Sequence, residues 1–406
     1  MKWTEEEAMA VLVSSVRAYG RRARALTLAG DARALIREPE RYAAVLRPDD
    51  LSALRKGIAA AEELLDRLHR EGIALILPHG PGASRLLSEI RHPPHLLFCR
   101  GVADLTDPFP VGCVGTRDPS PYGLRNGKRI ARELAEAGCC IVSGLALGID
   151  AACHEGALAG KGRTVAVLGG ALDRLYPRQN RGLMERILDA GGSVVTEYPP
   201  GTYATGFSFP ERNRIIAGLS LGIFVAEGRE RSGALSTASL ALSEGREVFA
   251  LPGSVEDPRS MLPHRLIAEG AKLATCGADI LSEFVIEPPL GGKSGAHTAP
   301  AARSSDSSDR AADRAPETAV PSETGAKPAS GGSSIPPRAL SVPDGLGEEE
   351  TAVCRALLSG IVDFDELCEA TGIPGDELGA LLIEMELDGL VETLPGNAFG
   401  PGTRMY

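Results

Sequence analysis

Four short segments carry residue types that can grip a phosphate chain. They are Gly115-Thr116-Arg117, Ser143-Gly144-Leu145-Ala146-Leu147-Gly148-Ile149-Asp150, Phe207-Ser208-Phe209-Pro210-Glu211-Arg212-Asn213-Arg214, and the stretch from Gly228 through Ser232-Gly233 to Thr237-Ala238. Glycine lets a backbone approach a phosphate closely. Serine and threonine offer hydroxyl donors, and Arg117, Arg212 and Arg214 add charge with a bidentate fork. A helical pattern follows each segment, so free N–H groups and a positive dipole end face the same place. One such turn says little, because glycines between strand and helix often serve the turn alone. Four in succession suit a polymer backbone, whereas a mononucleotide needs one or two. Phe207 or Phe209 supplies a face on which an unpaired base can stack.

The chemistry that is missing narrows the reading. No G-x-G-x-x-G follows the first strand of the pattern, and no Walker lysine motif occurs anywhere. His154 is the obvious general base, but no nucleophile or metal partner is spaced to meet it, and it reads as a packed or capping histidine. The eight cysteines form no C-x-x-C pair and have no histidine at zinc-finger spacing. They read as buried thiols of a reducing cytosol. Neither a catalytic residue nor a metal nor a cofactor is expected. The N-terminus carries Glu5, Glu6 and Glu7 where a leader would carry basic residues, and no apolar run nears the roughly 20 residues of a bilayer span. A cytoplasmic protein without a membrane partner is expected.

The elements that must position these residues alternate. Strand patterns fall at Val111–Val114, Cys140–Val142, Thr164–Leu168, Ser193–Thr196, Gly222–Val225 and Glu247–Ala250. Helical patterns at Tyr122–Ala137, Asp150–Ala159, Arg178–Ala190, Pro210–Gly218 and Gly233–Glu244 separate them. Several strands are continuous apolar runs, as when both faces are covered. The expected fold is therefore α/β, an extended Rossmann-like, doubly wound, mostly parallel sheet. In such a sheet ligands bind beyond the carboxyl ends of the strands, where all four segments lie.

Around this body, 107–286, three other regions are expected. Residues 1–106 read as helical (Ala8–Tyr19, Pro48–Leu54 and Gly57–Arg70, then a strand at Gly72–Leu77), of the SAM or helix-hairpin-helix kind. Residues 287–344 are Ala-, Ser-, Gly- and Pro-rich with few large aliphatic side chains, the composition of a disordered linker. Residues 345–406 show three helices, a short strand at Ile361–Val362 and a hairpin through Pro395-Gly396-Asn397, the pattern of a winged helix. That last region holds 13 acidic and 2 basic residues, so it carries the whole net charge of −11 and leaves the body neutral. Its third helix bears Asp376, Glu377, Glu384, Glu386 and Asp388 with no Lys or Arg, which phosphates would repel. It reads as a module for contacting protein.

Val114–Arg117, Ser143–Asp150, Ala152–Leu158, Ser232–Ala238, Gly245–Gly253 and above all Phe209-Pro210-x-Arg212-Asn213-Arg214-Ile215-Ile216-Ala217-Gly218-Leu219-Ser220 resemble, in order and spacing, the DNA-processing protein A family (DprA, also called Smf). The resemblance covers residues 75–285. It implies single-stranded DNA binding, a role in natural transformation and recombination, loading of the RecA recombinase, and a homodimer formed through the Rossmann-like region. Carried over, the DNA contacts fall on Arg117, Ser143, Gly144, Gly148, Phe209, Arg212, Asn213, Arg214, Ser232, Gly233 and Thr237. The family pattern Ser-x-Gly-x-Asn-x-Leu-Ile departs here to Ser260-Met261-Leu262-Pro263-His264-Arg265-Leu266-Ile267. A nucleotide phosphoribohydrolase is the competing enzyme reading, but no carboxylate stands in Ser232–Leu240 where its catalytic Glu belongs. An adaptor that uses the sheet only as a scaffold is the third.

Overall fold

The computed structural model describes residues 3–230, 232–284, 342–343, 346–359, 364–373, 375–387, 390–394 and 398–401. A nine-stranded sheet organises the larger part. In chain order its strands are β1 (Ala74–Ile76), β2 (Leu97–Gly101), β3 (Pro110–Val114), β4 (Cys140–Ser143), β5 (Thr164–Val167), β6 (Ser193–Thr196), β7 (Gly222–Val225), β8 (Glu247–Ala250) and β9 (Lys272–Leu273). Their spatial order is β1-β2-β6-β5-β4-β3-β7-β8-β9. From β6 to β9 every pairing is parallel; β2 runs antiparallel to both β6 and β1.

Every residue of β3, β4, β5, β6 and β7 is buried, which explains their unbroken apolar runs. Helices cover both faces. On one, Pro121–Glu136 and Ile149–Ala159 pack Ile130, Leu134 and Cys153 against Phe224 and Phe249. On the other, Ser208–Leu219 and Gly233–Ser243 pack Ile215, Ile216 and Ala238 against Val225 and Val248. The chain thus winds outward from β3 in two directions, and Val111 pairs with Ile141 of β4 on one side and Gly222 of β7 on the other. The crevice at that reversal is where such a sheet holds a ligand.

The six expected strands form within a residue or two of their expected bounds. Two further strands come from before residue 107: β1, where the strand at Gly72–Leu77 was expected, and β2, which was not, so the sheet draws on the segment expected to be mostly helical. The antiparallel course of β2 hides it from a search for repeated β-α units. The N-terminal helices are Glu5–Ser15, Tyr19–Ala29, Ala32–Arg37, Pro48–Ala59 and Ala61–Arg70. Gly57 lies inside the fourth of them and does not begin a helix. Ser15 Oγ passes 1.9 Å from where a Cβ on Gly57 would stand, so the glycine serves a helix crossing. These helices share one core with Phe98 of β2, Val194 of β6 and Ile187 of helix Arg181–Asp189.

The C-terminal residues form helices Glu348–Leu358, Phe364–Thr371 and Gly375–Leu387 and an antiparallel pair, β10 (Val391–Leu394) and β11 (Ala398–Pro401). This is a winged helix closed over Val353, Leu367, Leu378 and Met385. The expected linker apart from residues 342–343, the strand at Ile361–Val362, Asp388 and the turn Pro395-Gly396-Asn397 lie outside the described residues. Among the described residues no helix is long and apolar enough to cross a membrane, and no cluster of His, Cys, Asp or Glu could hold a metal ion.

Candidate nucleic-acid interface

The carboxyl ends of β3, β4, β6 and β7 bring the four segments to one edge. After β3, Arg117 is exposed, and its guanidinium carbon lies 4.7 Å from the ring centroid of half-buried Phe209. This is the geometry of a cation–π pair. The next helix, Pro121–Glu136, has its first turn already filled. Ser120 Oγ accepts from Gly123 N at 3.0 Å, and the buried Glu227 carboxylate accepts from Ser120 N at 2.8 Å and Ser120 Oγ at 2.5 Å. A protein carboxylate occupies the place where an anion would otherwise sit.

After β4 the chain turns through Leu145 at φ 53° and Gly148 at φ 83° before helix Ile149–Ala159. Ser143 is fully buried and donates to Cys113 O at 2.6 Å, so its hydroxyl holds the two strands together. Asn180 braces the turn from outside, donating to Leu145 O at 2.8 Å and Ala146 O at 3.1 Å. Gly144 is required by sterics: a Cβ there would stand 2.2 Å from Nη1 of Arg212.

Helix Ser208–Leu219 carries the arginine motif. Its first turn is tied by Thr205 N donating to Ser208 Oγ at 2.9 Å and Ser208 N donating to Thr205 Oγ1 at 3.2 Å. The three arginines expected on the edge divide here into two kinds. Arg212 is 5% exposed and donates to Gly144 O at 2.7 Å and Val167 O at 2.5 Å, binding the ends of β4 and β5 together. Burial pulls its pKa down to about 10. Its charge favours ionisation of buried Asp150, whose carboxyl is raised by desolvation. Arg214 is 7% exposed, pairs with Glu197 and donates to His92 O at 2.8 Å. Both guanidinium groups are committed to protein partners and support the edge from within, whereas Arg117 stands on it. Residue type alone cannot separate these roles, since the fork that fits a phosphate also fits carbonyls and a carboxylate.

Asn213 is buried and donates to Gly233 O at 3.3 Å, joining this helix to the fourth segment. There Gly233 is exposed, with nothing within 4 Å of where a Cβ would be, at the start of helix Gly233–Ser243. Thr237 is buried and donates back to Gly233 O at 3.4 Å. Ser232 makes no capping bond, and its Oγ is buried without a hydrogen-bond partner. Of the four helix starts, this one offers open N–H groups and an uncommitted hydroxyl.

Glu227 and Asn180 were not singled out by the sequence reading, nor was the loop after β5, which brings Tyr176 to 5.9 Å from Phe209. The usable signal was Tyr176-Pro177-x-x-Asn180, a polar cluster at the end of a strand on the ligand edge. His154 is fully buried, with Nδ1 2.7 Å from Thr164 Oγ1 and its pKa lowered to about 3 by burial, so it packs as a neutral side chain. The departing stretch Met261–Ala268 is a helix, and His264 Nε2 lies 3.1 Å from Gly253 O.

A doubly wound sheet with a cation–π pair and an open helix start at its switch-point edge defines a Rossmann-like ligand-binding protein. Residues 74–285 match the family described as DNA recombination-mediator protein A, and residues 336–397 match the DprA winged helix domain. The chain belongs to this family. It is 48% identical over 198 residues to the DNA processing protein DprA of Streptococcus pneumoniae, covering 49% of this chain and 70% of that protein. It is 36% identical over 304 residues to Protein Smf of Escherichia coli, covering 75% and 71%. The X-ray structure of the S. pneumoniae protein superposes with a TM-score of 0.61 at 37% identity, covering 71% of this chain and all of that one.

Proposed function

We propose that this protein binds single-stranded DNA along the carboxyl edge of its sheet and delivers it, as a homodimer, to a RecA-type recombinase during DNA uptake and recombination, without itself catalysing a reaction. The observation that carries the reading is the exposed Arg117 stacked on Phe209 at the switch point. A cation beside an aromatic face serves an unpaired strand, which presents both a phosphate and a free base; a duplex hides its base faces. Ser232 and Gly233 take a second phosphate at the start of helix Gly233–Ser243. Gly144, Gly148, Ser143, Asn213 and Thr237 shape the turns. Arg212 and Arg214 hold the edge rigid.

The test is fluorescence anisotropy with single- and double-stranded oligonucleotides over a salt series. The expected result is tighter binding to single strands, with affinity falling as salt rises. Equal affinity for both forms overturns the reading. Light scattering in solution, with mass fixed against concentration, checks the dimer.

A further inference from the structure

We propose that the winged helix is a strap that closes in cis over Phe207 at one end of the ligand edge, and that a bound single strand displaces it. This rests on the single-strand reading above and adds a conformational device to it: docking of the winged helix and binding of the strand exclude one another.

The strap has two anchors on one turn of helix. Helix Phe364–Thr371 begins with Phe364, whose ring lies 6.3 Å from the Phe207 ring at 48°, and it carries Glu366 two residues on. Side chains two apart on a helix do not face the same way. Phe364 accordingly meets the ligand edge, while Glu366 meets the N-terminal helices, its carboxylate 2.5 Å from Arg47 Nη2 and 3.8 Å from Arg21 Nη1. The receiving arginines are set in advance. Buried Asp50 accepts from Arg21 Nε at 2.8 Å and from Arg47 N at 3.1 Å, at the start of helix Pro48–Ala59. Asp50 thereby holds both arginines beside the position that Glu366 takes.

The aromatic anchor bears on function because of where Phe207 stands. It is 46% exposed and lies two residues before Phe209, the ring that carries Arg117. The winged helix closes on it with the rim of its own core. Phe364 meets buried Phe399 of β11 at 6.2 Å and 47°, and a Cβ on Gly379 would stand 3.7 Å from Phe207 Cζ. A base stacked on Phe207 needs the space that Phe364 and Gly379 occupy. Phosphates beside that base would also face an acidic module, with 13 Asp and Glu against 2 Lys and Arg over residues 345–406. Neither anchor is strong, since the ion pair is about one-third exposed. Joined to the body through residues 285–341, the module docks as an intramolecular partner, for which weak contacts suffice. Such a strap closes in the free protein and yields to a strand. By linkage, the strand weakens docking by the same factor as docking weakens strand binding.

The test uses the full chain and an oligothymidylate. Arg47→Lys places an amine beside Glu366, and a carbodiimide then joins the two in the free protein, as mass spectrometry of the linked peptides reads. A saturating strand lowers the yield severalfold. By anisotropy, Glu366→Arg and Arg47→Glu each bind the strand about two- to fivefold more tightly than wild type, although the second adds negative charge. The exchange of both together restores wild-type affinity, and that recovery shows that both single variants fold. A cross-link whose yield the saturating strand leaves unchanged overturns the strap and leaves the single-strand reading standing. Absence of the cross-link in the free protein overturns it too, as does wild-type or weaker affinity in either single variant. Failure of the wild-type chain to bind any single strand removes the single-strand reading and the strap with it.

Discussion

The guanidinium carbon of Arg117, on the turn after β3, stands 4.7 Å from the ring centroid of Phe209, in the helix that follows β6. Two turns on opposite sides of β4 and β5 meet here across the crevice. The contact is worth about 0.5–2 kcal/mol to the fold. What it leaves outward is a positive group and an aromatic edge at the same point.

Arg117→Ala should weaken binding of all single strands alike and flatten the slope of log affinity against log salt by roughly 0.7. Phe209→Ala should lower affinity without changing that slope, since a ring neutralises no phosphate. Anisotropy titrations at four or five salt concentrations separate the two. A wild-type slope for Arg117→Ala removes the phosphate contact.

Arg212→Ala should instead act on stability. It removes two hydrogen bonds to buried carbonyls and the cation that offsets the buried Asp150 carboxyl, a loss of about 3 kcal/mol. Gly144→Ala, which pushes a methyl group into the same guanidinium, should cost about 1–3 kcal/mol. Arg117→Ala, which loses only an exposed cation–π contact, should cost less than Arg212→Ala, about 0.5–1 kcal/mol. Urea denaturation of the three variants checks this ordering, and equal midpoints for Arg117→Ala and Arg212→Ala contradict it.

The winged helix reaches the edge through Phe364, whose ring lies 6.3 Å from that of Phe207, and meets the N-terminal helices through Glu366, 2.5 Å from Arg47 at the start of helix Pro48–Ala59. The ion pair is about one-third exposed, so it contributes only about 0–1 kcal/mol. Deleting residues 345–406 frees Phe207 and removes 13 acidic residues against 2 basic. Single strands should then bind up to about fivefold tighter, and Phe364→Ala should reproduce part of the gain. The isolated winged helix should not shift duplex DNA at physiological salt. Anisotropy and gel shift read both outcomes, and weaker single-strand binding after deletion contradicts the masking contact.

His95 and His154 are buried with pKa values lowered to about 3, each chiefly by desolvation. Both are neutral when folded and take up a proton near pH 6.5 when unfolded. Unfolding therefore binds protons between those values, and stability falls as pH drops below about 6.5. Each histidine should cost up to about 1.4 kcal/mol per pH unit in that window. Denaturation at pH 7 and pH 5 measures the loss, and His154→Gln should reduce it. A flat profile across that range contradicts the burial of both rings as neutral groups.

The sequence alone determined the parallel sheet, the winged helix and the edge where ligand groups gather. Those follow from local signals: unbroken apolar runs buried on both faces, helical periodicity, and glycine with hydroxyl residues at strand ends. The arginine motif after β6 was equally visible, and with it the family. Which arginine faces outward was decided only by the tertiary structure. Arg117, Arg212 and Arg214 have the same chemistry in a string, but Gly144 O and Val167 O accept from one, Glu197 and His92 O from another, and the third lies over the Phe209 ring. The partners come from distant parts of the chain, so no spacing rule announces them. The same holds for β2, which joins the sheet by antiparallel pairing to β6, and for Glu227, which fills the start of a helix from the end of the neighbouring strand β7. Local preference sets what an element is; burial and the geometry of closure set what its side chains are free to do.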